Sequence, residues 1–259
     1  MTRRRRFEPL LLIIMAACAG IALAVEDRVI AGAFSAAKPG DALPAGWAPM
    51  AATNIKTMTR YTLTDDDGVT VLRAESQAGA SALSRPLRVD PAAWPWLRWR
   101  WKIDNLIAAA DLRTRKGDDF PARLYVMFDY PLDRLPFLDR TKLRLARVLF
   151  DPGLPAATIC YVWDGKAAAG TIAPSAYTGR VKLIVVESGA ARVKRWVDVE
   201  RNVAADFRAA FGEEPPRVSA IAVGTDTDNT GTFATAYFGD IMFYKQQLAK
   251  HLPGEAKAP

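Results

Sequence analysis

From Arg28 onward, apolar and polar residues alternate over runs of five to nine positions closed by Gly, Pro, Asp or Asn. A period of two in short β-branched and aromatic runs bounded by turn formers is the pattern of strands. It predicts strands at Val29–Ser35, Met58–Thr64, Thr70–Gln77, Ser81–Val89, Leu97–Ile103, Arg123–Phe128, Thr158–Trp163, Arg180–Glu187, Arg217–Gly224 and Thr235–Tyr244. The clearest run sets Leu97, Trp99, Trp101 and Ile103 on one face against Arg98, Arg100 and Lys102 on the other. One face must enter a core and the other must meet water or a polar groove. Asp65-Asp66-Asp67-Gly68 reads as a hairpin turn, since Asp tolerates turn conformations and Gly supplies positive φ.

Two segments leave this pattern. Leu138–Phe150 has Leu138, Leu145 and Leu149 at helical spacing, with Arg140, Arg144 and Arg147 on a common stripe, which predicts a basic amphipathic helix inserted between strands. Either it packs as a solvated helix on the sandwich or it contacts an anionic lipid or protein partner. A shorter helix is expected near Val203–Phe211, ended by Gly212 and Pro215-Pro216. With no internal repeat and no long linker, the expectation for residues 25–259 is one all-β domain: a two-sheet antiparallel jelly-roll sandwich with one or two short helical insertions.

The first 24 residues change the reading of charge and address. Arg3 to Arg6 precede an apolar run from Leu10 to Leu23, and Ala22-Leu23-Ala24 supplies small residues for cleavage after Ala24, so residues 1–24 read as a secretory signal peptide. The apolar run is shorter than the roughly 20 residues a spanning helix needs. A periplasmic or secreted protein with no transmembrane span in the mature chain is expected. Cys18 within Met15-Ala16-Ala17-Cys18 gives lipidation as a minor alternative, and Arg4-Arg5-Arg6-Phe7 leaves the general secretory and twin-arginine routes both open. The whole chain carries 35 Lys and Arg against 28 Asp and Glu, or +7, and removing four Arg and one Glu leaves 31 minus 27, or +4. So mild a surplus predicts no nucleic-acid binding. Cys18 would leave with the signal, and Cys160 alone can form no intramolecular disulfide.

Several chemistries are missing from the sequence. The one histidine, His251, sits in the polar tail, so neither a Ser-His-Asp or Cys-His pair nor a His-ligated metal can be built inside the domain. There is no G-x-S-x-G, G-x-G-x-x-G, phosphate-binding G-x-x-x-x-G-K or C-x-x-C motif. Any enzyme here would work with carboxylates, Tyr, Lys, Arg or a calcium-type metal. Asp118 and Asp119 beside Arg123 could supply general acid and base on a polysaccharide, or could be a turn acid and a strand-entry acid paired with Arg123 or the basic face of β-strand Leu97–Ile103. Asp226 and Asp228, within Thr225-Asp226-Thr227-Asp228-Asn229-Thr230-Gly231, resemble the start of a calcium loop, although its twelfth position is Tyr237 rather than Glu. The alternative is a turn whose side chains bond their own backbone. Asp198-Val199-Glu200-Arg201-Asn202 reads as a strand end with local pairing.

Aromatic rings near loops favour a glycan, whose apolar faces stack on Trp and Tyr. Trp47, Trp94, Trp96, Trp163, Trp196 and Tyr177 qualify; Trp99 and Trp101 are expected in the core, while Trp94 and Trp96, flanking Pro95, are expected at the surface beside Arg98 and Arg100. Leu97-Arg98-Trp99-Arg100-Trp101-Lys102, Gly117-Asp118-Asp119-Phe120-Pro121-Ala122-Arg123, Tyr161-Val162-Trp163, Glu200-Arg201-Asn202-Val203, Phe211 to Pro216, Thr225 to Gly231 and Gly239-Asp240-Ile241 together resemble an exported bacterial family catalogued only as a domain of unknown function. That resemblance brings no activity and no catalytic residues. More loosely, an early Phe34 strand and a late Tyr237–Phe243 strand look like those of galactose-binding-like jelly rolls. In such modules an acid of the last strand often helps to hold a structural calcium, which implies Asp240 as a further ligand. These readings point to a non-catalytic binder of a cell-envelope glycan, with a carboxylate-dependent polysaccharide enzyme, or an assembly factor docking through Arg140, Arg144 and Arg147, as alternatives.

Overall fold

The computed structural model describes residues 27–51, 55–149 and 155–247, with only the backbone of 146–149. The signal segment with Cys18 and Ala24, the Arg147 side chain and His251 lie outside the described residues. The strands are β1 (Arg28–Gly32), β2 (Ala48–Met50), β3 (Arg60–Asp66), β4 (Val69–Gln77), β5 (Ala80–Val89), β6 (Trp96–Ile103), β7 (Arg123–Phe128), β8 (Ala157–Asp164), β9 (Ile172–Pro174), β10 (Val181–Ser188), β11 (Val197–Asn202), β12 (Val218–Asp226), β13 (Phe233–Phe238) and β14 (Ile241–Tyr244). Two helices accompany them, α1 (Phe137–Leu149) and α2 (Val203–Phe211). None is long and apolar enough to cross a membrane among the described residues.

The strands form a β-sandwich of two seven-stranded sheets. The first runs β1-β14-β6-β13-β4-β3, with β11 on the other side of β6, and the second runs β2-β5-β12-β7-β8-β10-β9. Every ladder is antiparallel except β8 with β10. That parallel pair departs from the antiparallel expectation because the chain leaves β8 and returns through residues 165–180, a connection long enough for a crossover. Short β9 forms on that connection as the outer edge.

Alternation along β6 decides how the sheets meet. Leu97, Trp99, Trp101 and Ile103 are buried, and Trp101 lies against Trp163 of β8 with ring centroids 6.3 Å apart. Trp99 meets Tyr161 at 5.2 Å and Trp101 edge-on at 5.4 Å. Fully burying one such large side chain contributes about 1.5–3 kcal/mol. Helix α2 closes one end of this core: Asn202 caps its start by accepting from Ala205 N at 2.9 Å, Gly212 ends it in the left-handed region at φ 76°, and Phe207 packs on Phe128 with centroids 4.6 Å apart. The hydroxyl of buried Tyr161 donates to Asp206 Oδ2 at 2.8 Å.

Four expectations shift in detail. The first strand stops at Gly32, and Phe34 is buried in a short 3-10 turn rather than in a strand. The last predicted strand is two, β13 and β14, broken at Gly239. Asp198 to Asn202 belong to a full strand, β11, paired along β6. Trp47 and Trp163 are core residues, 7% and 0% exposed, and so are unavailable to a glycan. The hairpin at Asp65–Gly68 forms as expected, with positive φ at Asp67 and Gly68.

Candidate functional site

The side chains of β6 that face away from the core build a cationic and aromatic surface on the first sheet. Arg98 stands over the Tyr244 ring with 4.4 Å to its centroid, and its Nε pairs with Glu200 across the β6–β11 ladder. Arg100 covers Trp196 at 4.5 Å, and Lys102 lies 4.4 Å from the Tyr237 ring centroid while pairing with Asp66. Trp94 and Trp96 are half-buried at the edge of this face, where Lys245 approaches the Trp94 ring at 4.8 Å. A depression of about 290 Å³ opens beside Arg98, lined by Trp99, Asp198, Glu200, Asp240, Met242 and Tyr244. Among the described residues, Arg98 Nη1 and Nη2 have no hydrogen-bond partner. Both nitrogens are buried behind the Tyr244 ring, so what the groove itself presents is carboxylate acceptors beside a flat ring, the means to hold a polar ligand with an apolar face.

Gly239 explains why β13 and β14 separate here. A Cβ at this position would lie 2.6 Å from Arg100 Cγ, so glycine lets the Arg100 stem cross the chain on its way to Trp196. Next to it, Asp240 accepts from Ser35 N at 2.9 Å and Ser35 Oγ at 2.5 Å. Asp240 therefore ties the first turn to the last strand pair of the first sheet, away from Asp226 and Asp228, which end and follow β12 of the second sheet.

The acidic motifs meet on the outer face of that second sheet. Residues 104–122 fold over it, burying Leu112 and Phe120 against Cys160, Val162, Leu183 and Val185. Gly117 belongs to this excursion, because its backbone passes so close that a Cβ would sit 2.6 Å from Asp111 N. Arg123 pins the fold-over: Nε donates to Asp226 Oδ1 at 2.8 Å, Nη2 reaches Asp226 Oδ2 at 2.5 Å, and Nη2 also donates to Asp118 O at 2.5 Å. Asp226 Oδ1 accepts from Phe120 N at 3.0 Å as well. The carboxylate of Asp119 reaches across to the turn after β12. Its Oδ1 accepts from Asn229 N and Nδ2 at 3.3 and 3.1 Å, and its Oδ2 from Thr230 N and Oγ1 at 2.7 and 2.6 Å.

Burial sets the ionisation of this cluster. Asp226 is pushed up to about 6, because desolvation outweighs the attraction of Arg123. Asp118 is raised for the same first reason, with Asp119 adding repulsion, and burial raises Asp228 too. The thiol of Cys160 is pushed up to about 12 by burial, which leaves it inert as a nucleophile.

Asp119, Asp226 and Asp228 each bring one oxygen within 4.8 Å of the others, so two of the three acids expected for calcium do cluster and Asp119 takes the place of Asp240. The donor set nevertheless fits a cation poorly. All four lone-pair positions of Asp119 and most of those of Asp226 already accept protein donors, and the Arg123 guanidinium lies among the carboxylates. Of the acid–base set, Asp118 and Asp119 are neighbours of Arg123, but all three are buried, 6%, 0% and 4% exposed. The sequence reading missed Asp226 as the partner of Arg123, and Asp198, Glu200 and Tyr244 as groove residues. A signal for the acids existed, since Trp196, Asp198 and Glu200 alternate with Val197 and Val199.

No curated protein matches the chain. Among solved structures, it is similar to the glycoside hydrolase domain of Endo-D from Streptococcus pneumoniae R6, at 8% identity and a TM-score of 0.33, covering 77% of this chain and 22% of that one. The chain thus spans about a fifth of that structure's length. It is also similar to a mutant of CBM29-2, a family 29 carbohydrate-binding module, at 12% identity and a TM-score of 0.33, covering 84% of this chain and 91% of that one. The family model described as "Protein of unknown function (DUF3047)" matches residues 45–242, a span that holds both the cationic face of β6 and the acidic cluster under the second sheet, and the chain belongs to that family.

Proposed function

We propose that this is an exported, non-catalytic protein that binds a cell-envelope glycan in the groove beside Arg98. The observation that carries the reading is a groove in which Asp198, Glu200 and Asp240 border the Tyr244 ring, with the Arg98 guanidinium stacked on that ring and paired to Glu200. A sugar ring offers hydroxyls around its rim and an apolar C–H face, which are the complements of those groups. Export rests on Arg3 to Arg6, the apolar run behind them and the Ala22-Leu23-Ala24 site, with cleavage after Ala24 and delivery to the periplasm or beyond. Saturation of Asp119, together with burial of Asp118 and Arg123, speaks against using those three as acid and base.

Depletion of the purified protein by insoluble polysaccharides and bare peptidoglycan sacculi tests the proposal, with reducing ends assayed in the same supernatants. Depletion without new reducing ends, weakened in Tyr244→Ala and unchanged in Asp119→Asn, is the expected result. No depletion by any of these polymers, or depletion indifferent to Tyr244, would remove the glycan reading.

A further inference from the structure

The expected basic helix forms as α1, but the faces it presents are not those of a helix that simply packs on the sandwich. Leu143 rests against the core, and Arg140 Nη2 donates to the carbonyls of Asp133 and Leu135 at 3.2 and 3.1 Å, which fixes that side of the helix to the body. At 3.6 residues per turn, Leu138, Thr141 and Leu145 fall together on the opposite side, with Phe137 at their edge and Lys142 and Arg144 on either flank. Phe137, Leu138 and Leu145 are 75%, 68% and 57% exposed. Single exposed leucines are ordinary, whereas an apolar ridge within nine residues, bordered by cations, marks a contact surface.

We infer that α1 is an interfacial helix that docks the protein on an anionic bilayer. Charge complementarity selects that occupant: Lys142 and Arg144 flank the exposed ridge, while the charges of Arg140, tied to the body, and Asp139 cancel, which leaves +2 over Phe137–Leu145. The three apolar side chains enter the boundary between headgroups and acyl chains, while the Lys142 and Arg144 stems extend to the phosphates. This surface is separate from the Arg98 groove, which contains no α1 residue, so either proposal can fail alone.

A local probe tests it in the full chain, whatever the apolar segment before residue 25 does. An environment-sensitive fluorophore is placed at Leu138→Cys in a Cys18→Ser background, Cys160 being buried. Vesicles of phosphatidylcholine with phosphatidylglycerol should blue-shift its emission, and bromolipids in those vesicles should quench it. Neutral phosphatidylcholine vesicles should not shift it. The double variant Lys142→Glu with Arg144→Glu should weaken the anionic-vesicle response roughly tenfold or more, and the same fluorophore at Phe233→Cys, on the exposed start of β13, should stay unresponsive. A probe at 138 that keeps its aqueous emission on anionic vesicles would overturn the inference. So would equal responses to neutral lipid, indifference to the charge reversals, or a shift produced only by an acidic soluble protein.

Discussion

Arg98 and Arg123 occupy comparable places on the two sheets. Each points outward from its strand, β6 or β7, stands 4.4 Å over an aromatic ring, Tyr244 or Phe120, and pairs through Nε with an acid on an adjoining strand. They differ in what remains unbonded. Arg123 is 4% exposed, lies under the 104–122 excursion and donates from Nε and Nη2 to the carboxylate of Asp226 and the carbonyl of Asp118. Arg98 lines an open groove, and its two terminal nitrogens, buried behind it, have no partner among the described residues. A charge cluster covered by the chain and bonded mostly from within the protein holds the fold together, whereas one that borders an open groove can meet a ligand.

The two arginines should therefore fail in opposite ways. Arg123→Ala strands the carboxylates of Asp226 and Asp118 in a covered site, for which the expected loss is about 3–5 kcal/mol in urea unfolding. A loss under about 1 kcal/mol would show that the acidic cluster does not hold the excursion down. Asp119→Ala comes next. It leaves the backbone amides of Asn229 and Thr230 without their acceptor, and about 2–4 kcal/mol is expected by the same measurement. Because the donor set of Asp119 is already full, calcium added to the wild-type protein should not move its melting temperature; a rise of several degrees would reopen the cation reading.

The pH dependence sharpens the same point. Asp226 ionises at about 6 in the fold and near 4 when unfolded, so between those values the folded state holds the extra proton. Its contribution to stability therefore falls as pH rises from about 4 to about 6 and is flat above, by less than about 3 kcal/mol in total. Burial moves Asp118 and Asp228 in the same direction. Wild type minus Asp226→Asn in urea unfolding isolates the slope, and a difference that rises with pH in that window would contradict it. Removing Arg123 lifts Asp226 further, so the loss in Arg123→Ala should be smaller at pH 5 than at pH 8.

Period-two patterning made the sandwich, the inward Trp99 and Trp101 and the Asp65–Gly68 hairpin legible, because each depends on local sequence alone. What stayed hidden was long-range. Asp118 to Arg123 and Asp226 to Thr230 read as two independent acid clusters, yet they are one network joined across more than a hundred residues by β7 and β12 lying side by side. Pairing order in a sheet is not written in the alternation of either strand. The same holds for Asp240: a fold-level likeness offers it as a calcium ligand but says nothing of its neighbours, and strand order puts it at Ser35 in the first sheet, apart from Asp226 and Asp228. Strands β2 and β9 are each three residues long, too short to show a period.

The smallest effect on stability and the largest on binding are expected together in Arg98→Ala. Its ion pair with Glu200 keeps some contact with water and its guanidinium packs on the Tyr244 ring, so the cost in urea unfolding should be about 1–2 kcal/mol, below that of Asp119→Ala. Capture by the polymer that depletes the wild-type protein should fall about tenfold or more, since the groove loses the guanidinium that holds Glu200 and the Tyr244 ring in place. Arg98→Lys separates the contributions of charge and shape. It keeps the charge near Glu200 but loses the planar fork and its stacking on Tyr244, so binding should remain closer to Arg98→Ala than to wild type. Full retention of binding in Arg98→Lys would mean that the groove needs only a positive charge. Full retention in Arg98→Ala would mean that Arg98, like Arg123, serves the fold alone, and the contrast between the two sheets would be lost.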